Sequence, residues 1–180
     1  MDTKTLKDKK ISIRKLVADD INHPEKFLKH INSFIKEDAM LLLKKKKGRK
    51  EEIEFLRGKT KEVKQKKTIY LIAESNNEII GTCHLGLLRE RMDHIGGFGI
   101  AIRQGFRGIG LGKYLMETII KMAKTDLKPS PKIIELDVYE CNKPAIALYK
   151  KMGFKPVAKV PNRMQYKGKL ITEIIMHLEV

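Results

Sequence analysis

The chain has 180 residues, 42% of them hydrophobic, which is enough to bury the core of one domain and excludes wholesale disorder. Lysine and arginine outnumber aspartate and glutamate by 38 to 22, and the net charge of +16 favours contact with polyanions such as nucleic acid, an anionic membrane or a phosphate-rich cofactor. No apolar run approaches the roughly 20 residues that span a bilayer, and the N-terminus lacks the apolar stretch of a signal peptide. We therefore expect one cytoplasmic domain over residues 1–180 and no membrane partner.

Strands are predicted along most of the chain. Alternating or continuous apolar runs indicate strands at 11–16, 68–74, 79–85, 95–102, 133–139, 155–160 and 170–178. Asn76 and Asn77 are typical turn residues, so the second and third of these strands should form a hairpin. The glycines at 96, 97 and 99 weaken the fourth strand.

Helices are predicted between these strands. Apolar residues recur at helical spacing over 27–35, and Asp19 or Asp20 should cap this first helix. A second apolar stripe predicts a helix over 111–125, and Asn142 is a good cap for a later one. Strands that arrive both singly and as a hairpin, with helices between them, predict a mixed α/β fold.

The segment 44–67 contains half of the net charge. It has 12 lysine or arginine residues and 4 acidic ones, with only a thin apolar stripe. We expect one or two exposed helices here. Two interpretations remain open for this segment, a solvated lysine-rich face or a docking surface for nucleic acid or another acidic partner.

A glycine-rich turn follows the strand at 95–102 and opens the helix at 111–125. Such a turn directs unpaired backbone N–H groups and the positive end of the helix at one point, which suits an anion. Lys113 occupies the position of the last glycine of a Rossmann fingerprint, and Arg107 occupies the position of the first P-loop glycine. The pattern that does fit is Arg-x-x-Gly-x-Gly, which on its own is also compatible with an ordinary tight turn.

The segment Arg107-Gly-Ile-Gly-Leu-Gly112 resembles the pyrophosphate-binding signature of the GNAT superfamily of N-acetyltransferases. A second segment, 142–154, matches the superfamily pattern Asn-x-x-Ala-x-x-Leu-Tyr-x-x-x-Gly-Phe residue by residue. The resemblance implies a GNAT-like fold, a central mixed and mostly antiparallel twisted sheet with helices on both faces, and a cofactor-binding part at 95–154. It is strongest to the branch that contains ribosomal-protein N-terminal acetyltransferases and small-amine acetyltransferases.

The resemblance also implies acetyl-CoA as the acetyl donor and assigns residues to it. The backbone amides that would bind its pyrophosphate belong to Gly108, Ile109, Gly110, Leu111, Gly112 and Lys113, and Arg107 would support the turn or the phosphates. The edge formed by Ile100, Ala101 and Ile102 would pair with the pantetheine arm, and the Ile100 N–H would polarise the acetyl carbonyl. Tyr149 would protonate the departing thiolate, and Asn142 would contact the cofactor or cap its helix.

The general base is the least determined part of the site. Asp137 matches the position of a glutamate base in the N-terminal-acetylating branch, while His94, His84 and a chain of water molecules are alternatives. Cys83 and Cys141 match no metal-site spacing, so no metal is expected, and both should pack as small buried residues. Direct transfer is therefore simpler than an acyl-cysteine route.

Two functions are compatible with these features. The first is an N-acetyltransferase that moves an acetyl group to a primary amine on a peptide or protein N-terminus, a lysine or a small molecule. The alternative is a non-catalytic ribosome- or nucleic-acid-binding module on an acetyltransferase-like scaffold. The aromatic content of 6%, with no tryptophan, argues against nucleic acid as a partner, because RNA-binding surfaces usually stack bases on aromatic side chains. The sequence is compatible with a monomer or a homodimer.

Overall fold

The computed structural model describes residues 2–180 and contains eight strands and four α-helices. The strands are β1 (Asp2–Leu6), β2 (Lys9–Lys15), β3 (Thr68–Ser75), β4 (Glu78–Leu87), β5 (Ile95–Ile102), β6 (Ile133–Tyr139), β7 (Lys155–Tyr166) and β8 (Lys169–Glu179). The helices are α1 (Pro24–Lys36), α2 (Arg49–Lys64), α3 (Leu111–Asp126) and α4 (Lys143–Lys151). Short 3-10 helices lie at Ala18–Asn22 and Glu90–Met92. The predicted α/β class is confirmed.

All eight strands form one sheet in the order β1-β2-β3-β4-β5-β6-β8-β7. Every neighbouring pair is antiparallel except β5 and β6, which are parallel. The sheet is therefore mixed and mostly antiparallel, as the resemblance implied. The one parallel pair forms where α3 carries the chain from β5 across to β6.

The two faces of the sheet are covered by different helices. On the first face, α3 packs against β3 and β4 and contributes Leu115 and Ile119 to the larger core, together with Tyr149 of α4. On the second face, α1 packs on β4 and α2 on β3 around a smaller core that contains Phe27 and Leu56. We refer to them below as the α3 face and the α1 face. Helices therefore lie on both faces, as predicted.

The parallel pairing of β5 with β6 stops after three residue pairs, of which the last joins Gly97 to Glu135. At the two ends of the β4–β5 ladder, Leu88 N–H donates to Ile95 and Arg103 N–H donates to Ile80. Backbone groups alternate between the two sides of a strand, so the odd-numbered residues of β5 bond to β4. Its even-numbered residues beyond Gly97 therefore face an opening between β5 and β6.

Local turn chemistry explains the hairpins. Asn76 and Asn77, between β3 and β4, both have positive φ values, 50° and 61°. This conformation matches the twist of two-residue hairpins and confirms the predicted turn. Lys167 and Gly168 adopt the same turn conformation between β7 and β8, with φ values of 49° and 73°.

The N-terminal part differs from the sequence-based expectation at two points. Strand β1 was not predicted, because its residues alternate weakly and are mostly exposed. The predicted cap of α1 at Asp19 or Asp20 is also wrong, because α1 begins at Pro24, which has no N–H to satisfy. Asp20 instead accepts two hydrogen bonds of 2.8 Å from Arg14 and one of 2.9 Å from the Val17 N–H.

Candidate active site

The glycine-rich turn leads from β5 into α3 through three left-handed glycines. Gly105, Gly108 and Gly110 have φ values of 85°, 72° and 92°, a region that other residues enter only with strain. A Cβ built at any of them meets nothing within 4 Å, so their surface is open to solvent or to a ligand. Gly112 differs, because its Cβ would lie 3.2 Å from Leu148 Cδ2, and the missing side chain lets α3 approach α4.

The start of α3 is suited to an anion. The first helical hydrogen bond runs from Tyr114 N–H to the Gly110 carbonyl at 3.1 Å, so the N–H groups of Leu111, Gly112 and Lys113 lack helical acceptors. No acidic residue occupies the first turn of α3. The free N–H groups and the positive end of the helix therefore point at the same volume.

Arg107 braces this turn. Its Nε donates to the Ile102 carbonyl at 2.6 Å, and its guanidinium pairs with Glu37 at the end of α1. The guanidinium also lies 5.9 Å from the centre of the Phe34 ring, at cation–π distance. Of the two roles expected for Arg107, these contacts favour support of the turn.

The predicted pairing edge lies beside the opening between β5 and β6. Ile100 and Ile102 are even-numbered residues, so their N–H groups face away from β4 and into this opening. Ala101 lies between them and bonds to β4 instead, directly opposite Thr82. The edge can therefore offer the Ile100 N–H to an extended ligand as an added strand would receive it.

Tyr149 lies on the α3 face with its ring buried against two other aromatic rings. Its centroid is 6.5 Å from that of Phe98 and 6.1 Å from that of Phe154. Burial, with a smaller contribution from nearby Cys83, raises the pKa of Tyr149 to about 12. Among residues 2–180 no group hydrogen-bonds to its hydroxyl, which is protonated at neutral pH and free to donate. Cys83 lies directly opposite Ile100 in the sheet, so Tyr149 stands near the same stretch of β5.

Asn142 is the N-cap of α4, and its Oδ1 accepts from Ala145 N–H at 3.4 Å. The capping role that the sequence allowed is therefore present.

Asp137 lies on β6 on the α1 face, and its side chain is exposed. Partial desolvation of the carboxyl group and the nearby carboxylate of Glu135 raise the pKa of Asp137, while Arg163 lowers it. Glu173 of β8 shares this face and is only 6% exposed, with Arg163 Nε at 3.6 Å from its Oε2. Glu173 was not among the predicted site residues. The sequence could have indicated it, because it is an acidic residue inside an otherwise apolar strand.

The two candidate histidines lie in different places. His94 precedes β5, six residues before Ile100, which is about 20 Å along an extended strand. Its carbonyl accepts from the N–H groups of Lys132 and Ile133. The structure therefore separates His94 from the opening. His84 lies on β4 directly opposite Gly99, one residue from Ile100, and stays close to the opening.

The cysteines also differ. Cys83 is fully buried, and burial raises its pKa well above the ordinary value, so it packs as predicted and is a poor nucleophile. Cys141 is exposed, which contradicts the predicted burial, because it lies in the short turn between β6 and α4 and not inside either element. Residues 2–180 contain no group of three or more potential metal ligands, and within them no helix is long and apolar enough to cross a membrane.

A cavity of about 410 Å³ lies on the α1 face beside the C-terminal end of β6. The Tyr139 hydroxyl donates to the Leu41 carbonyl at 3.2 Å, and the Tyr139 ring packs edge-on against Tyr166 at 5.9 Å. The sequence did not predict this cavity, because its walls come from distant segments. Its lining residues are Ile35, Asp38, Ala39, Leu41, Leu43, Lys44, Tyr139, Gln165, Tyr166, Lys167 and Gly168.

A turn whose free N–H groups suit an anion, a strand edge that opens beside it and a buried tyrosine near that edge together form a site that could hold an extended anionic ligand in a split sheet. The family described as "Acetyltransferase (GNAT) family" matches residues 34–154, more than half of the chain. The chain belongs to this family, as its two motifs indicated.

Individual proteins resemble the chain in sequence and in fold. The L-amino acid N-acetyltransferase AaaT of Escherichia coli (strain K12) is 33% identical over 86 residues, which cover 47% of this chain and 52% of AaaT. The chain spans about half the length of the curated relatives it matches.

Solved structures share the fold over most of the chain. A GNAT-family acetyltransferase from Streptococcus pneumoniae has a TM-score of 0.81 and 23% identity, with 94% of this chain and 99% of that chain covered. A ribosomal-protein-alanine N-acetyltransferase from Brucella melitensis has a TM-score of 0.78 and 18% identity, covering 94% and 99%. The protein yncA from Salmonella typhimurium, solved with its cofactor acetyl-CoA, has a TM-score of 0.77 and 16% identity, covering 94% and 93%.

Proposed function

We propose that this protein is an acetyl-CoA-dependent N-acetyltransferase that transfers the acetyl group directly to a primary amine. The observation that carries the proposal is the opening between β5 and β6, which ends at the glycine-rich start of α3. This arrangement could hold the pyrophosphate of acetyl-CoA at the turn and its extended pantetheine arm along β5. The structure of yncA with acetyl-CoA, in the same fold, supports the choice of donor.

Each part of the donor has a suitable partner in the chain. The pyrophosphate would be held by the backbone N–H groups from Gly108 to Lys113, because three of them lack helical acceptors. Arg107 would keep the turn in place through the Ile102 carbonyl and Glu37. The arm would pair with the Ile100–Ile102 edge. When bound, acetyl-CoA supplies an activated acetyl thioester.

The chain's own groups would then serve the transfer in two ways. The Ile100 N–H donates a hydrogen bond where negative charge develops on the acetyl oxygen, which lowers the barrier most in a site from which water is excluded. Tyr149 donates its proton to the sulfur as the carbon–sulfur bond breaks. Burial raises the pKa of Tyr149 to about 12, so the hydroxyl keeps its proton at neutral pH until it is donated.

The acceptor amine would approach from the α1 face. Asp137 and Glu173 lie on this face and attract an ammonium group, and the cavity beside Tyr139 can receive the rest of the acceptor. We propose Asp137 as the group that removes the proton from the ammonium before attack. Desolvation and neighbouring carboxylates raise the pKa values of the exposed Asp137 and the buried Glu173, which brings these carboxylates closer to the basicity a general base needs.

The test is thiol release from acetyl-CoA with the purified protein across a panel of peptides, free amino acids, lysine derivatives and polyamines. Mass spectrometry of the product should show one added acetyl group on nitrogen. A protein that binds acetyl-CoA but acetylates nothing in the panel would favour the non-catalytic alternative. A protein that neither binds acetyl-CoA nor releases thiol would contradict the proposal outright.

A further inference from the structure

The imidazole of His84 lies directly on the backbone of β5. A Cβ built on Gly99 would lie 2.3 Å from His84 Cε1 and 2.8 Å from Nε2. Both distances are too short for real atoms, so the ring occupies the volume that any side chain at position 99 would fill. The glycine is therefore required by the close approach of His84.

A row of aromatic side chains holds the ring in this place. Tyr70, His84 and Gly99 occupy directly opposite positions on β3, β4 and β5, so all three lie on the α1 face. The Tyr70 ring is stacked on the imidazole at 5.8 Å with an interplanar angle of 11°. Phe55 of α2 packs edge-on against Tyr70 at 6.3 Å. This packing holds the imidazole over Gly99.

The position of the ring relative to the opening follows from strand register. Gly97 pairs with Glu135, so two residues further along the parallel strands Gly99 and Asp137 lie on the α1 face on the two sides of the opening. His84 thus faces the opening from the β5 side, one residue from Ile100. The side chain is partly exposed, and within residues 2–180 neither ring nitrogen has a hydrogen-bond partner.

We propose that His84 is a further catalytic residue, which binds the acceptor amine and receives its proton during acetyl transfer. This role rests on the proposed function. The nitrogen–carbon bond forms as the amine attacks the acetyl carbonyl, and the carbon–sulfur bond breaks with the proton of Tyr149 going to sulfur. The surplus proton of the amine nitrogen passes to the free ring nitrogen of His84 and then to water, and the Tyr149 phenolate regains a proton from water.

His84 is uncharged at neutral pH, so its ring can accept a hydrogen bond from the amine. Burial, followed by the nearby Lys59, lowers its pKa to about 4, while Glu62 acts in the opposite direction. Tyr70, which is stacked on the ring, is also titratable, and burial raises its pKa and keeps it protonated. The imidazole is therefore neutral at pH 7 and has one nitrogen lone pair for an amine N–H. It orients the uncharged amine, and Asp137 across the opening attracts the incoming ammonium.

Three variants separate this role from simple packing. His84→Phe keeps an aromatic ring against Tyr70 but removes the nitrogens, and Gly99→Ala keeps the imidazole but displaces it. Gly81→Ala is the control, because its Cβ would meet only ordinary contacts at 3.6 Å in the same sheet. We expect kcat/KM for the amine to fall about 100-fold or more in the first two variants and by less than threefold in the control.

Binding is measured separately from turnover. The thermal shift with acetyl-CoA should be the same in all three variants and the parent, because the proposed donor site lies at the glycine-rich turn and the Ile100–Ile102 edge and does not include His84. In the parent, phenylalaninamide at millimolar concentration should move the NMR resonance of the His84 ring, which is identified by its loss in His84→Phe.

The outcomes decide the proposal. A His84→Phe enzyme within threefold of the parent, or a His84 resonance unmoved by phenylalaninamide, would overturn the role of His84 while leaving the acetyltransferase proposal intact. Loss of the acetyl-CoA shift in His84→Phe would show a structural role instead. A parent without donor binding or turnover would reject both proposals together.

Discussion

Tyr149→Phe is the most direct test of the proposed chemistry, because it removes one oxygen atom from a packed ring. The Tyr149 side chain is 8% exposed and touches Phe98 and Phe154. Phenylalanine keeps these contacts. Since no group in residues 2–180 hydrogen-bonds to the hydroxyl, its removal leaves no partner unpaired, and the free energy of unfolding should stay within about 1 kcal/mol of the parent.

Catalysis should respond far more strongly than stability. General acid catalysis by a positioned side chain contributes about 10²–10⁴-fold, which corresponds to about 2.7–5.5 kcal/mol of barrier. We expect kcat to fall by this factor. The affinity for acetyl-CoA should change little, because the hydroxyl acts on the thiolate that forms in the transition state.

The pH dependence gives a second check. Burial raises the pKa of Tyr149 to about 12, above the ordinary value of a phenol. An acid works only while it is protonated, so the parent should lose no activity through Tyr149 until the pH approaches 12. The decrease in activity near pH 10 that an unperturbed phenol would cause should therefore be absent.

The assay is stopped-flow or continuous thiol detection with saturating acetyl-CoA, in parent and variant, with product release excluded as the slow step. Circular dichroism melting supplies the stability comparison. A Tyr149→Phe enzyme with kcat within threefold of the parent would refute the acid role, and water or another side chain would then protonate the thiolate. A large loss of stability would instead contradict the description of the hydroxyl as unpartnered.

Three further predictions concern the rest of the chain. Acetyl-CoA at 100 times its Kd should stabilise the parent by about 2.7 kcal/mol, or several degrees in Tm. Gly110→Asp should abolish this shift, while the control Gly110→Ala, which has the same backbone strain at φ 92° but no charge, should keep part of it. An unchanged shift in the aspartate variant would show that the turn is not part of the donor site. Replacing Lys44, Lys45, Lys46 and Lys47 with glutamine should leave turnover of a small amine unchanged. The nucleic-acid alternative would instead be supported if the parent bound RNA, with a slope of log binding constant against log salt concentration steeper than about −3, and the variant did not. Gly58→Ala should raise the free energy of unfolding by about 0.5–1 kcal/mol, since Gly58 lies inside α2 and its Cβ would meet nothing within 4 Å; a destabilised variant in chemical denaturation would contradict the exposure of this helix face.

Local features of the chain were predictable because neighbouring residues determine them. The hairpin at Asn76 and Asn77 follows from two residues that tolerate positive φ. The glycine-rich turn into α3 and the cap of α4 at Asn142 depend on backbone freedom and on a side chain that bonds within its own turn. The α/β class and the family followed from such segments in their order.

The tertiary structure decided which of these features meet. The opening beside Ile100 exists because β5 and β6 separate after Gly97, and nothing in either strand alone sets that point. His84 and His94 looked equivalent in the sequence, but cross-strand register sets one of them over Gly99 and the other at the far end of β5. The burial of Glu173 and the cavity beside Tyr139 likewise come from segments far apart in the chain. Sequence patterns describe the preferences of a few adjacent residues, whereas the chemistry of a site depends on distances that only the pairing of remote strands establishes.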